Sequence, residues 1–437
     1  MGCDSKPEGP EKQDIDPYIY ETPEDRNAPY VRKEWQQWIK SNHYLITSLS
    51  SEDFEDLEFL DQFLQNKTIV QMGEVAHGIA EQNRLRVRLI KYLHQKLGFK
   101  VIAFESGFYE CAMMNNQIEN LGTLTALKNS LYSFWRTPDL LDMFEYIKQF
   151  RNESKDLMFA GIDIQPTGNY IQTRPQFFKN IIWSVDSIFA DQICKNDSTL
   201  LSFSYSGQKI YIQNNYEALL NLYDHLLNLI QIHESTLIQN FTLEIISITK
   251  QAARSAKAYV LFRNGDSHIT EIGQTNARDE FMLENIRFLK EELFPGQKLI
   301  IWAHNIHTHK DSDAIIDSLG NRVYSIMLGD LLNYNYPSEY YAIGSISYRG
   351  EINYGAVSEI KITRGESIEA ILYYARKRHY FLNLSDQGKV DGNSWIFLPT
   401  FQLYLHRAGE YDIKYIPKAQ YDACLYIDTV SEPQYFH

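Results

Sequence analysis

The sequence predicts an α/β fold in which β-α-β units build a parallel sheet interrupted by a long helical insertion. Three observations carry that prediction. Apolar runs at 68–72, 101–104, 157–160 and 298–302 suit strands buried on both faces, and they are too short for buried helices. Helical periods lie between the first three. Those three runs exit into acids, at Glu74, Glu105 and Asp163, and the fourth exits into His304. Open α/β sheets bind ligands outside that carboxyl edge.

In chain order, Trp35, Trp38 and Ile39 sit at helical spacing, and a second helix is expected from Ser51, with Phe54, Leu57, Leu60 and Leu64 on one face. After the strand 68–72, a helix over 80–97 puts Leu85, Leu89, Leu93 and Leu97 on its core face and Glu81, Arg84 and Arg88 elsewhere. Gly98 ends it. Thr137 caps a further helix that opens on Pro138 and buries Leu140, Met143, Phe144 and Ile147. From about 173 to 294 the pattern is helical with no strand, clearest over 216–230 and 243–262. Such an insertion can close over a ligand. Strands resume at 298–302, with short ones expected at 323–328, 341–346 and 423–427. There is no strict repeat, but strand-then-histidine at His77 and at His304 suggests two related halves facing one cleft. The expected organisation is a tail over 1–30 and one α/β domain over 31–437.

The composition is 44% hydrophobic and 14% aromatic, which allows a sizeable core in 437 residues. A net charge of −14 argues against nucleic acid as a partner and for a neutral or cationic small molecule. Cys3, Cys111, Cys194 and Cys424 have no CxxC spacing, so neither a thiolate zinc site nor a disulfide framework is expected. No apolar run approaches the roughly 18 residues that span a bilayer. The polar stretch to about residue 27 should be disordered. Its start, Met1-Gly2-Cys3-Asp4-Ser5, resembles the mature end of a bacterial lipoprotein with Cys3 lipidated, which implies the bacterial cell envelope. A plain flexible tail on a cytoplasmic protein is the alternative. The oligomeric state is not legible.

The chemistry centres on residues 69–78. There an apolar run breaks at Gly73 and delivers Glu74, His77 and Gly78 within five residues. Glu74 and His77 are three apart and share a face if the chain turns helically there. A carboxylate and an imidazole so placed can perform general-base chemistry on water. His304 and His307 form an HxxH at another strand exit. Each residue also has a bland reading. His77 would be a satisfied core histidine, and the HxxH a polar loop. Glu74 and Glu105 would be acids favoured at helix N-termini, Arg86 a solvated arginine, and Arg278-Asp279 an ordinary charged helix start. GxSxG, P-loop and GxGxxG patterns are missing from the sequence. Water attack assisted by histidine and carboxylate therefore gains over a serine nucleophile or nucleotide chemistry. Two histidines with two glutamates would also suit a divalent metal with an open position. A non-catalytic envelope protein binding a glycan or lipid is a third reading.

Taken together, Gly73-Glu74-Val75-Ala76-His77-Gly78, Arg84-Leu85-Arg86 and Phe104-Glu105 resemble the opening signature of the erythromycin esterase family. The resemblance continues through Phe134-Trp135-Arg136-Thr137, Gly161-Ile162-Asp163, Asn276-Ala277-Arg278-Asp279 and Trp302-Ala303-His304-Asn305-Ile306-His307, covering roughly 34–424. It implies a two-part α/β fold with a helical insertion and a deep cleft. It also implies hydrolysis of a macrolactone-like ester by histidine-activated water, with no metal required and a role in macrolide resistance. Residue by residue, it makes His77 the general base, with Glu74, Arg86 and Glu105 around it and His304 facing it. His307, Arg278, Asp163 and Trp135 are then candidates for holding the substrate. Val75-Ala76 stands where the family commonly has Ala-Thr. The substrate is not fixed by the resemblance, since some members carry a succinoglycan-biosynthesis label.

Overall fold

The computed structural model describes residues 30–153, 157–353, 357–362, 364–406 and 409–436. Cys3 and the tail expected over 1–30 lie outside the described residues, apart from Tyr30.

The strands, in chain order, begin with β1 (Tyr44–Leu45), β2 (Ile69–Glu74), β3 (Phe99–Gly107), β4 (Met158–Asp163), β5 (Ser267–Thr270) and β6 (Gly273–Asn276). There follow β7 (Lys298–His304), β8 (Ile316–Asp317), β9 (Tyr340–Asn353) and β10 (Val357–Lys361). The last are β11 (His379–Asn383), β12 (Thr400–His406), β13 (Gly409–Tyr415) and β14 (Ala423–Val430). The main sheet runs β1-β11-β14-β9-β2-β7-β3-β4, with β10 folded back on β9. From β14 to β4 every neighbouring pair is parallel, and β1, β11 and β10 pair antiparallel at the margins. The two strand-then-histidine units are therefore neighbours, β2 beside β7, in one sheet.

Alternation along each strand feeds two apolar layers. Ile69, Val101 and Leu299 enter the layer shared with the helices after 173. Val70, Ile102 and Ile300 enter the layer on the opposite face, with the helices Ala80–Leu97 and Pro138–Glu153. Burial on both faces explains why these strands read as continuous apolar runs. A third cluster covers the antiparallel end, around Tyr380, Trp395 and Tyr426.

Several expectations are corrected by the structure. The helix expected from Ser51 begins only as a 3-10 turn at Glu55–Leu60, followed by Asp61–Leu64. The Ser48, Ser51 and Asp53 side chains accept backbone N–H groups before it and hold the chain in turns. The helix Ala80–Leu97 has the expected bounds but is buried nearly all round in its first half. Arg88 is inside, tied to Asp56 and to the carbonyls of Ser48 and Ser51. The helical region contains one hairpin, β5-β6, whose turn ends at Gly273 with φ +139°. Within 323–328 only Ile326 pairs, in an isolated bridge to Thr275, and no strand forms. Just after them Asp330 accepts the Met327 N–H (2.9 Å) at the start of the helix Leu328–Asn335.

Candidate active site

β2 and β7 are in register at their carboxyl ends, so that Glu74 lies opposite His304. After Glu74 the chain turns through His77 and Gly78, whose φ of +77° needs glycine, and enters the helix that carries Gln82 and Arg86. Gly73 is needed for close approach, because a Cβ there would lie 2.1 Å from the Asn305 side-chain oxygen.

The turn brings His77 Nδ1 against Glu74 Oε1. Glu74 Oε2 accepts from Arg86 Nη1 (3.0 Å), while Arg86 Nη2 donates to Gln82 (3.0 Å) and the guanidinium lies 4.6 Å over the Trp302 ring. Burial resists a charge on Glu74, yet Arg86 and His77 outweigh it and hold its pKa below the usual carboxylate range. Glu74 is thus an anion that accepts from His77 Nδ1–H, which makes Nε2 the basic nitrogen. The imidazole stacks on Phe134 at 4.0 Å and 11°, meets the edge of Trp135 at 5.6 Å, and lies 5.4 Å from the His304 ring. His304 Nδ1 accepts the Ile306 N–H (3.2 Å). Burial, aided by His77, pushes its pKa down to about 3. It is a neutral imidazole whose proton sits on Nε2.

A second cluster gathers where β3, β4 and β7 end and where the helix Ala277–Phe288 begins. β3 shifts register between Phe104 and Gly107, which is where Glu105 projects. Glu105 Oε2 accepts the His304 backbone N–H (2.8 Å), and Oε1 accepts from Arg278 (2.6 Å). Arg278 also grips Asp163 through Nε (3.0 Å) and Nη2 (2.7 Å). His307 Nδ1 meets Asp279 (2.6 Å), and its Nε2 lies 3.2 Å from Glu105. Burial opposes the charged imidazole, but Asp279 and Glu105 prevail and raise its pKa to about 10. Burial likewise opposes the Glu105 anion, which His307 and Arg278 hold well below the usual range.

Between the clusters lies a cavity of about 620 Å³. His77, Glu105 and Arg278 line it beside Tyr132, Phe134, Gln165 and Pro166, and the helical region adds Tyr205, Gln208 and Tyr259. The sequence-derived candidates thus come together in two layers. His77, Glu105 and Arg278 reach the cavity. Glu74, Arg86, His304, His307, Asp163 and Trp135 are buried around them. Arg86 stands behind Glu74, and Trp135 stands behind Phe134, which offers the ring face. Residue-by-residue reading passed over Phe134 and Asp279, although both stand in the quoted motifs. It also passed over Tyr132, Gln165 and the insertion residues, which carry no spacing signal. Among the described residues, no group of three or more His, Cys, Asp and Glu side chains is arranged to hold a metal ion. No helix among them is long and apolar enough to cross a membrane.

Comparison with known proteins gives this geometry a context. The model of the family described as Erythromycin esterase matches residues 94–430. A Bacillus subtilis (strain 168) protein named "Putative hydrolase YbfO" is 27% identical over 431 residues, covering 92% of this chain and 93% of that protein. An Escherichia coli protein named "Erythromycin esterase type II" is 23% identical over 337 residues, covering 72% of this chain and 78% of that one. The crystal structure of a Bacillus cereus protein superposes with a TM-score of 0.76 at 18% identity, covering 94% of this chain and all of the other, a likeness of fold.

Proposed function

The chain belongs to the erythromycin esterase family, and we propose that it is a carboxylic ester hydrolase in which His77 draws a proton from the attacking water. The observation that carries this reading is the Glu74–His77 pair, with the imidazole in the cavity wall and the carboxylate buried behind it.

Water bound beside Nε2 attacks the ester carbonyl carbon while Nε2 takes its proton, and Glu74 stabilises the imidazolium that forms. The carbonyl oxygen becomes an oxyanion, for which the Arg278 guanidinium in the cavity wall is the nearby donor, while His304 stays neutral beside the base. Such a donor is worth about 3 kcal/mol in the transition state. The intermediate then collapses, the carbon–alkoxy bond breaks, and the alkoxide takes the proton back from His77. The products are an acid and an alcohol, and the base is restored. Arg86 acts on Glu74 alone, as an anchor.

The substrate is a small-molecule, macrolactone-like ester, neutral or cationic, and macrolide resistance is the corresponding biological role. A cavity of about 620 Å³ falls within the roughly 300–1,000 Å³ of small-molecule sites. No metal is called for. The two glutamates that a divalent ion would need are already bound, Glu74 by Arg86 and Glu105 by Arg278. The protein acts as a hydrolase without nucleic acid, at the envelope if Cys3 is lipidated.

Mass spectrometry of a panel of macrolactones and simpler esters, incubated with the protein in ¹⁸O-water, tests this. The expected result is conversion of at least one ester to acid and alcohol, with one heavy oxygen in the acid. A panel left intact would overturn the esterase reading, and a ligand in it that still raised the melting temperature would point to a binding protein. Hydrolysis abolished by a chelator and restored by a divalent ion would overturn the metal-free route.

A further inference from the structure

Beneath the cavity wall lies a buried acid that the reaction does not use. Glu110, in the helix Phe108–Asn115 directly after β3, is 1% exposed. Its Oε1 accepts the backbone N–H groups of Thr167 (2.8 Å) and Gly168 (3.3 Å). Arg174, whose charge acts on it, is itself clasped by Asp197 through Nε (3.0 Å) and Nη2 (2.7 Å). Two glycines make the arrangement fit. An ideal Cβ at Gly107 would lie 2.4 Å from the Glu110 carboxylate, and one at Gly168 would lie 1.9 Å from the Asn129 carbonyl oxygen.

The strap from Asp163 to Gly168 is thereby fixed at both ends. At its start Asp163 accepts the Gln165 backbone N–H (3.1 Å). At its end the Thr167 hydroxyl accepts the Gly107 N–H (2.8 Å) and meets the Ser106 hydroxyl (2.8 Å). Between these ties Gln165 and Pro166 form part of the cavity wall. The Gln165 amide oxygen, oriented by its neighbours, accepts from Arg278 Nε (2.9 Å) and Nη2 (3.2 Å).

We propose that Glu110 is a positioning residue for ester hydrolysis: by holding Thr167 and Gly168 from below, it keeps Gln165 and Pro166 in the cavity wall and Gln165 against Arg278. The proposal rests on the esterase reading. Its effect falls on substrate binding and not on the chemical step, because the Glu74–His77 pair is held by other elements and Arg278 keeps its own grip on Asp163 and Glu105. Burial raises the Glu110 carboxyl to about 7, so both protonation states are populated near neutrality. Either state keeps an acceptor oxygen for the two N–H groups, so an amide at this position should serve.

The test measures kcat and KM on an ester that the wild type hydrolyses. Glu110→Ala is expected to raise KM about tenfold, the weight of a hydrogen-bonding arrangement lost, with kcat within about threefold of wild type. Glu110→Gln should restore KM to within about twofold. Gln165→Ala should resemble Glu110→Ala, and the double variant should be no worse than either, because both act through one strap. If Glu110→Ala does not fold, Glu110→Asp, one methylene shorter, carries the test with the same KM shift. A lowered melting temperature with wild-type KM in Glu110→Ala or Glu110→Asp would overturn the proposal. So would full additivity with Gln165→Ala. A wild-type protein that cleaves no ester would overturn the underlying esterase reading instead.

Discussion

The two charged clusters on either side of the cavity are built on opposite principles. Around His77 there is one anion, Glu74, one anchoring cation, Arg86, and a neighbouring histidine kept neutral. Around Arg278 there are three carboxylates and two cations, Glu105, Asp163, Asp279, Arg278 and His307, whose pairings fix nearly every proton. The first cluster leaves one imidazole able to change its charge within a rigid shell. The second spends its charges on one another and sets the shape of the floor. A hydrolase needs both, one place where a proton moves and a surrounding field that does not.

Substitutions that leave His77 in place can break this contrast. The largest expected effect is in the fixed cluster. Arg278→Ala leaves the Asp163 carboxylate buried without its cation and takes one of two from Glu105, and should cost about 3–5 kcal/mol in urea denaturation. A loss below about 1 kcal/mol would mean the cluster is not a mutually neutralised framework. Next comes Glu74→Gln, which keeps an oxygen toward Arg86 but removes the anion behind the imidazole. It should lower kcat by about 10²-fold with a smaller change in stability. Loss of stability with kcat unchanged would make Glu74 structural.

The pH dependence of stability follows from His307. Its folded pKa of about 10 exceeds the ordinary imidazole value near 6.5, so its contribution is complete below about 6.5 and is lost as pH rises through about 10. The melting temperature should fall between about pH 6.5 and 10, and His307→Gln should flatten that fall. An equal fall in the variant would assign it to other groups. The smallest effect belongs to Phe134→Ala, which removes the ring stacked on His77. It should cost about 0.5–1.5 kcal/mol in kcat/KM, a factor of about 2 to 12. Unchanged kinetics would mean that Glu74 alone orients the imidazole.

Much of the sheet was legible because its strands are buried on both faces and leave unbroken apolar runs. The same signal located Glu74, Glu105, Asp163 and His304, since strand exits in an open α/β sheet converge on one edge. What it could not give is the depth of each residue. Arg86 and Trp135 stand in the right motifs, yet sit behind the groups that face the cavity. That order is set by tertiary packing on Trp302 and Phe134, not by spacing. The insertion residues Tyr205, Gln208 and Tyr259 sit on helices whose period reports only the core face, so their approach to the cavity had no local signature. Strands 323–328 and the missed hairpin failed for a related reason. Side chains such as Asp330 and turns such as that at Gly273 decide short segments, and apolar period does not.

The most direct test of the account is turnover by His77→Ala on an ester that the wild type cleaves, measured beside its melting curve. The account predicts a loss of about 10²–10⁴-fold in kcat with the melting transition preserved, because the framework that fixes the fold lies in the other cluster. Hydrolysis at the wild-type rate in the folded variant would contradict it.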